Sequence, residues 1–140
     1  MPVGIVDLDT ALAGCASAHS EKNVLAVVLS DLMTPSGALG GLDALRARVA
    51  DVCVIHLVAP DEIEPRLTGE LELIDSESGQ ALELGVSMAT LEAYRTRFGD
   101  WLEERAQACR RRGMRYVRVR TDTPLAAAVM SDLRHGGLLR

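Results

Sequence analysis

Apolar positions in this chain fall into short blocks that switch between two periods. Leu8, Leu12, Cys15 and His19 recur at i, i+4, i+7 and i+11, one face of a helix that Asp7 or Asp9 can cap. Residues 24–29 (Val-Leu-Ala-Val-Val-Leu) follow as an unbroken β-branched run. Such a run marks a strand buried on both faces of a parallel sheet. Ser30 and Asp31 end it. Pro35 and Ser36 then open a second helix with Leu39, Leu42, Leu45 and Val49 inward. Gly40 and Gly41 weaken that helix by roughly 1 kcal/mol each relative to alanine. Residues 52–58 (Val-Cys-Val-Ile-His-Leu-Val) read as another doubly buried strand, closed by Ala59, Pro60 and Asp61.

The period then changes. Leu71 and Leu73 alternate with Glu70 and Glu72, Leu82 and Leu84 flank Glu83, and turn formers lie between. This predicts a β-hairpin over about residues 69–85 with one wet face. Ser87 or Thr90 starts the longest helix, which reaches Arg112. Its apolar stripe is Leu91, Tyr94, Phe98, Trp101 or Leu102, Ala106 and Cys109. Three arginines suit its negative end, and Gly113 terminates it. Residues 115–120 (Arg-Tyr-Val-Arg-Val-Arg) alternate strictly, which places them at a sheet edge. Thr123 caps and Pro124 begins a last helix with Leu125, Val129 and Leu133 in the core, ended by Gly136. The order of elements predicts an α/β fold: three layers, a mainly parallel sheet with helices on both faces, and an inserted hairpin. The whole of residues 1–140 reads as a single domain.

Composition narrows the function classes. Apolar residues make up 48% and charged residues 25%, an ordinary globular balance. The longest apolar run is too short to span a bilayer and no signal peptide opens the chain, so a cytoplasmic protein without a membrane segment is expected. Three widely spaced cysteines exclude a disulfide framework. Aromatics at 3% argue against a base-stacking surface, and no nucleic-acid partner is expected. The net charge of −5 hides an asymmetry. Residues 1–93 carry 15 acids and 4 bases, whereas residues 94–140 carry 5 acids and 11 arginines. Such a chain either folds its halves together or shows an acidic rim and a basic face to different partners.

Candidate chemistry concentrates at strand ends, where open parallel sheets bind ligands. Asp31, Asp61 and Asp122 each follow a strand, two of them directly after Ser30 and Thr121. Converging hard oxygens would suit Mg²⁺. Helix capping is the plainer role for Asp61 and Asp122. His56 lies inside a strand and reads as a satisfied core histidine, while His19 and His135 sit at helix ends. An alternative enzyme reading rests on Asp7-Leu8-Asp9-Thr10, which resembles the first motif of haloacid-dehalogenase-type phosphatases, with one aspartate as nucleophile and the next as acid/base. That chemistry needs a lysine after the Ser30 motif, and Lys22 precedes it.

The ordered set of motifs carries a family resemblance. Ala26-Val27-Val28-Leu29-Ser30-Asp31-Leu32 is followed by a helix and by Val52 through Glu62. Then come Gly69-Glu70-Leu71-Glu72-Leu73-Ile74-Asp75, a long arginine-rich helix, and Thr121-Asp122-Thr123-Pro124-Leu125. This resembles the C-terminal half of the bacterial domain of unknown function family 58. Those proteins carry a von Willebrand factor A-like domain and are commonly encoded beside MoxR-type AAA+ ATPases. The resemblance implies a non-catalytic protein-interaction module acting with such an ATPase. It places Asp31 in the aspartate loop of a metal site, with Val6 where the family has threonine and no match to the Asp-x-Ser-x-Ser loop. It also implies that the central strand of the sheet lies outside this chain. Residues 24–29 would then form an open apolar edge, and self-association through that edge is expected.

Overall fold

In a computed structural model, the chain is described at residues 7–18, 23–66, 69–74, 79–128, 130 and 134. Helix α1 (Leu8–Ala18) leads to strand β1 (Leu25–Ser30), helix α2 (Leu39–Arg46) and strand β2 (Asp51–Val58). A single helical turn, α3 (Pro60–Ile63), precedes the hairpin β3 (Gly69–Ile74) and β4 (Ala81–Val86). Helix α4 (Met88–Arg111), strand β5 (Arg115–Arg120) and the turn α5 (Leu125–Ala127) complete it. Strands β1, β2 and β5 form a parallel sheet in the order β1-β2-β5. Helices flank this sheet, so the architecture is α/β and Rossmann-like, with the hairpin as a separate antiparallel pair.

The register divides the sheet into two faces. Val28 lies beside Val54 and Val54 beside Tyr116, so even-numbered residues of the three strands share one face. There Val28, Val52 and Val54 pack with Leu12, Leu42, Leu45 and Cys109 of α1, α2 and α4. The odd-numbered face carries Cys53, Ile55, Val117 and Val119, covered by Ala128 just beyond α5. β2, paired on both sides and roofed on both faces, is the doubly buried strand expected. β5 is an edge strand with Val117 and Val119 inward and Arg118 and Arg120 outward, also as expected.

Several local expectations need correction. β1 is not buried on both faces: Leu25, Val27 and Leu29 are 43%, 42% and 62% exposed, because nothing described covers the odd-numbered face at this edge. α2 starts at Leu39 rather than at Pro35 or Ser36, since Ser36 is used in a turn and its hydroxyl accepts the Ala38 N–H at 3.2 Å. Cys15 is exposed rather than on the buried stripe of α1, which is Leu12 and Ala16. Thr123 does not cap the last helix; Pro124 occupies that position, and Leu125 is 80% exposed instead of core. The α3 turn lies where Asp61 reads as a helix cap, but Ala59 holds the cap position and Asp61 sits inside the first turn. Glu62 holds the turn, its carboxylate accepting the Ala59 N–H at 2.5 Å.

Other expectations hold. Ser87 caps α4 by accepting the Thr90 N–H at 3.1 Å, and Gly113 ends it with φ of 68°. The hairpin pairs Leu71 with Leu84 and Leu73 with Leu82. The side chains of residues 70–73 and 82–84, which would show its wet face, lie outside those described. So do residues 1–6 with Val6, as well as His19, Lys22, residues 75–78, Val129, Leu133, His135 and Gly136. Part of the charge asymmetry is met by ion pairs between the two halves. Arg112 of the basic half binds Asp43 at 2.8 Å, and Arg115 pairs with Asp51.

Candidate interaction surface

The loop at residues 31–38, following β1, is unusually determined. Leu32 and Ala38 sit in the left-handed region (φ 54° and 57°), and both are buried. For residues with a Cβ this costs on the order of 1 kcal/mol each, which the surrounding packing must overcome. Ser30 and Asp31 brace the loop by accepting the Leu32 and Met33 N–H groups, each at 3.0 Å. Gly37 (φ 64°) is required for a second reason: a Cβ there would overlap the Arg105 guanidinium. That guanidinium in turn lies 5.5 Å over the Trp101 ring.

His56 anchors the same loop from below. It is buried in the core, 1% exposed. Its Nε2 lies 2.7 Å from the Asp31 carbonyl oxygen and its Nδ1 2.6 Å from the Tyr116 hydroxyl. A carbonyl only accepts, so Nε2 carries the proton, and Nδ1 accepts from Tyr116. Trp101 meets the ring edge-on at 5.3 Å. Burial holds the imidazole below its ordinary pKa, with the nearby Arg118 and Arg105 charges adding to that and the Asp31 carbonyl opposing it. This is the satisfied core histidine expected, and it ties the C-terminal ends of β1 and β2 to Tyr116 near the start of β5.

The candidate carboxylates do not gather into one site. Asp31 Oδ1 accepts the Met33 N–H. Asp122 forms two hydrogen bonds with Arg120, at 3.0 and 2.8 Å, which hold its carboxyl below the usual range. Asp61 sits in the first turn of α3. Among the described residues, no group of three His, Cys, Asp or Glu side chains is placed to hold a metal ion. Asp7 caps α1, accepting from the Thr10 N–H and hydroxyl at 3.3 Å each. Asp9 reaches across to α2: it accepts the Gly41 N–H at 2.6 Å and the Ser36 hydroxyl, which lower its pKa. The approach of α1 to α2 explains Gly41, where a Cβ would lie 2.8 Å from the Asp9 carbonyl oxygen and from Leu12 Cβ.

Two apolar surfaces remain. On α4, the stacked rings of Tyr94, Phe98 and Trp101 form, with exposed Met33, one wall of an open groove of about 610 Å³. The second is the free edge of β1. Leu25, Val27 and Leu29 stand exposed on its odd-numbered face. On its other face an apolar groove of about 230 Å³ runs between β1 and α1, lined by residues including Leu12, Cys15, Ala26 and Val28. Among the described residues no strand pairs this edge. Edge strands are usually blunted by a lysine, a proline or a bulge, and residues 23–30 contain neither a charge nor a proline. Each of the three side chains is about half exposed. Covering them is thus worth about 1 kcal/mol apiece, half the value for a fully exposed aliphatic side chain.

No helix among the described residues is long and apolar enough to cross a membrane. Residues 3–117 match the family described as protein of unknown function DUF58, and with most of its length matched the chain belongs to that family. No curated protein and no solved structure matches it.

Proposed function

We propose that this member of the family is a non-catalytic protein-interaction module, acting in the cytoplasm by binding rather than by turnover. The observation that carries this reading is the unblunted apolar edge of β1, flanked by apolar surface on both faces of the strand. The chain's resemblance to a partial von Willebrand A-like domain implies the partner, a MoxR-type AAA+ ATPase. Asp7 and Asp9, the carboxylates of the phosphatase alternative, are engaged in capping α1 and in joining α1 to α2, which favours a structural role for both. The test is capture of a purified MoxR-type ATPase by the immobilised chain, compared with a Val27→Lys variant. Capture by the wild type, lost in the variant, supports the reading. Mg²⁺-dependent hydrolysis of p-nitrophenyl phosphate that disappears in Asp7→Asn would replace it with the phosphatase.

A further inference from the structure

We infer that the groove on α4 is a second docking surface, and that its occupant is an extended acidic peptide, held by Arg105 and Arg97 about an apolar side chain. The site lies on α4 and the 31–38 loop, apart from the β1 edge, and does not depend on it. The first observation is a cation without a partner. Arg110, Arg112, Arg115 and Arg120 each meet a carboxylate. Among the described residues the Arg105 guanidinium meets none, and its Nε is buried with no hydrogen-bond acceptor. α4 itself offers it nothing, because Trp101, Leu102, Ala108 and Cys109, three and four positions away, carry no negative charge.

The fold nonetheless holds this cation in one place. Gly37 takes a left-handed backbone beside it, where a Cβ would overlap the guanidinium, and the Trp101 ring lies 5.5 Å beneath. A buried donor left without an acceptor is destabilising, so its retention calls for an explanation. Nε is closed off, but the two terminal nitrogens are not buried in this way. They form the fork with which an arginine grips both oxygens of a carboxylate.

The surface beside it fits the rest of a peptide. Trp101, which the guanidinium covers, lines the groove with Met33, Ala93, Tyr94 and Arg97, and no acidic side chain lines it. An apolar floor with positive charge on either side of Trp101 is complementary to an acidic segment that carries an apolar residue. A groove open along one side suits a peptide better than a small ligand, which needs a cavity around most of its surface. Spacing sets the pattern. Arg97, Trp101 and Arg105 recur every four positions and so share one face of α4. The two arginines are about 12 Å apart along the helix axis, which an extended chain covers in about four residues. Alternate residues of an extended chain share a face. The peptide therefore offers carboxylates at i and i+4 and an apolar side chain at i+2, over Trp101.

The experiment is an NMR titration of the isotope-labelled chain with the peptide Glu-Ser-Leu-Ser-Glu, capped at both ends, at low salt. The chain has one tryptophan, so the Trp101 indole N–H gives a single signal inside the site. Saturable shifts are expected at that signal and along residues 93–105. Affinity should fall at least tenfold in Arg105→Gln. It should fall as far in Ala93→Glu, which puts a carboxylate into the groove from an exposed position and leaves the core untouched. Gln-Ser-Leu-Ser-Gln and Glu-Ser-Ser-Ser-Glu should each bind at least tenfold more weakly than the parent peptide. Equal binding of the uncharged peptide, unchanged affinity in either variant, or no saturation at millimolar peptide overturns the proposal. Val27→Lys should leave this binding intact. Shifts centred on residues 25–29 and lost in Val27→Lys would seat the peptide on the β1 edge, which overturns the α4 site and leaves the interaction reading standing. Binding at α4 that survives while Val27→Lys leaves ATPase capture unchanged supports this site and removes the β1 reading instead.

Discussion

The buried imidazole of His56 makes a pH-dependent stability that can be worked out in sign and slope. Its ring is 1% exposed, and both nitrogens are committed, Nε2 to the Asp31 carbonyl and Nδ1 to the Tyr116 hydroxyl. Protonation would charge a desolvated ring and place an N–H where Nδ1 now accepts. The folded-state pKa is accordingly depressed, chiefly by burial. Between an unfolded value near 6.5 and the lower folded value, the unfolded chain binds a proton that the native chain refuses. Stability is therefore full above about pH 6.5 and falls as pH falls, by about 1.4 kcal/mol for each unit crossed, until the folded pKa is reached. For a chain of this length that slope corresponds to roughly 5 °C in melting temperature per pH unit. Urea titrations of wild type and His56→Gln between pH 5 and 8 measure it. The variant is expected to be less stable at pH 7.5 by about 1–3 kcal/mol, because the Tyr116 hydroxyl loses its acceptor. Its stability should also lose the His56 part of the pH slope. His19 and His135 are common to both proteins and cancel in the comparison. Equal slopes for the two, or an NMR titration of His56 centred at or above 6.5, would refute the reasoning.

Other perturbations test neighbouring parts of the structure. Gly40→Ala and Gly41→Ala should move stability in opposite directions in thermal melts. The first gains up to about 1 kcal/mol of helix propensity with no contact closer than 3.4 Å, while the second forces α1 from α2 and costs about 1–2 kcal/mol net. Asp9→Ala should cost about 1 kcal/mol at pH 7 by freeing the Gly41 N–H and the Ser36 hydroxyl. The folded Asp9 pKa is lowered, so the wild-type advantage should persist above about pH 4 and shrink as pH falls below it in denaturant titrations. Gly37→Ala should destabilise by at least 1 kcal/mol, from its left-handed backbone and from displacement of Arg105 off the Trp101 ring, and should change the tryptophan fluorescence.

The element order was legible because the local patterns agree with the tertiary ones. The alternation in residues 115–120 names an edge strand, and Ser87 and Gly113 bracket α4. What escaped depends on distant partners. Residues 24–29 and 52–58 are equally apolar, and only the presence or absence of a neighbouring strand makes one an exposed edge and the other the centre. The resemblance anticipated that edge; periodicity alone pointed to a strand buried on both faces. Asp9 serves groups 27 and 32 residues away, and His56 bonds partners 25 and 60 residues away, beyond any capping or spacing pattern. Leu32 and Ala38 adopt left-handed conformations that their residue types argue against, so the late start of α2 had no local signal. The charge asymmetry was visible, but which acid meets which arginine was not: Arg112 binds Asp43 and Arg115 pairs with Asp51.

The claim that the chain works through the β1 edge is tested most directly by amide hydrogen exchange. The Leu25, Val27 and Leu29 N–H groups face outward and should exchange fast in dilute protein. They should become protected at least tenfold when the purified ATPase is added, while Val28, already bonded to β2, stays slow throughout. Fast exchange at all three outward amides under every condition, in a chain that nonetheless binds its partner, would contradict the account.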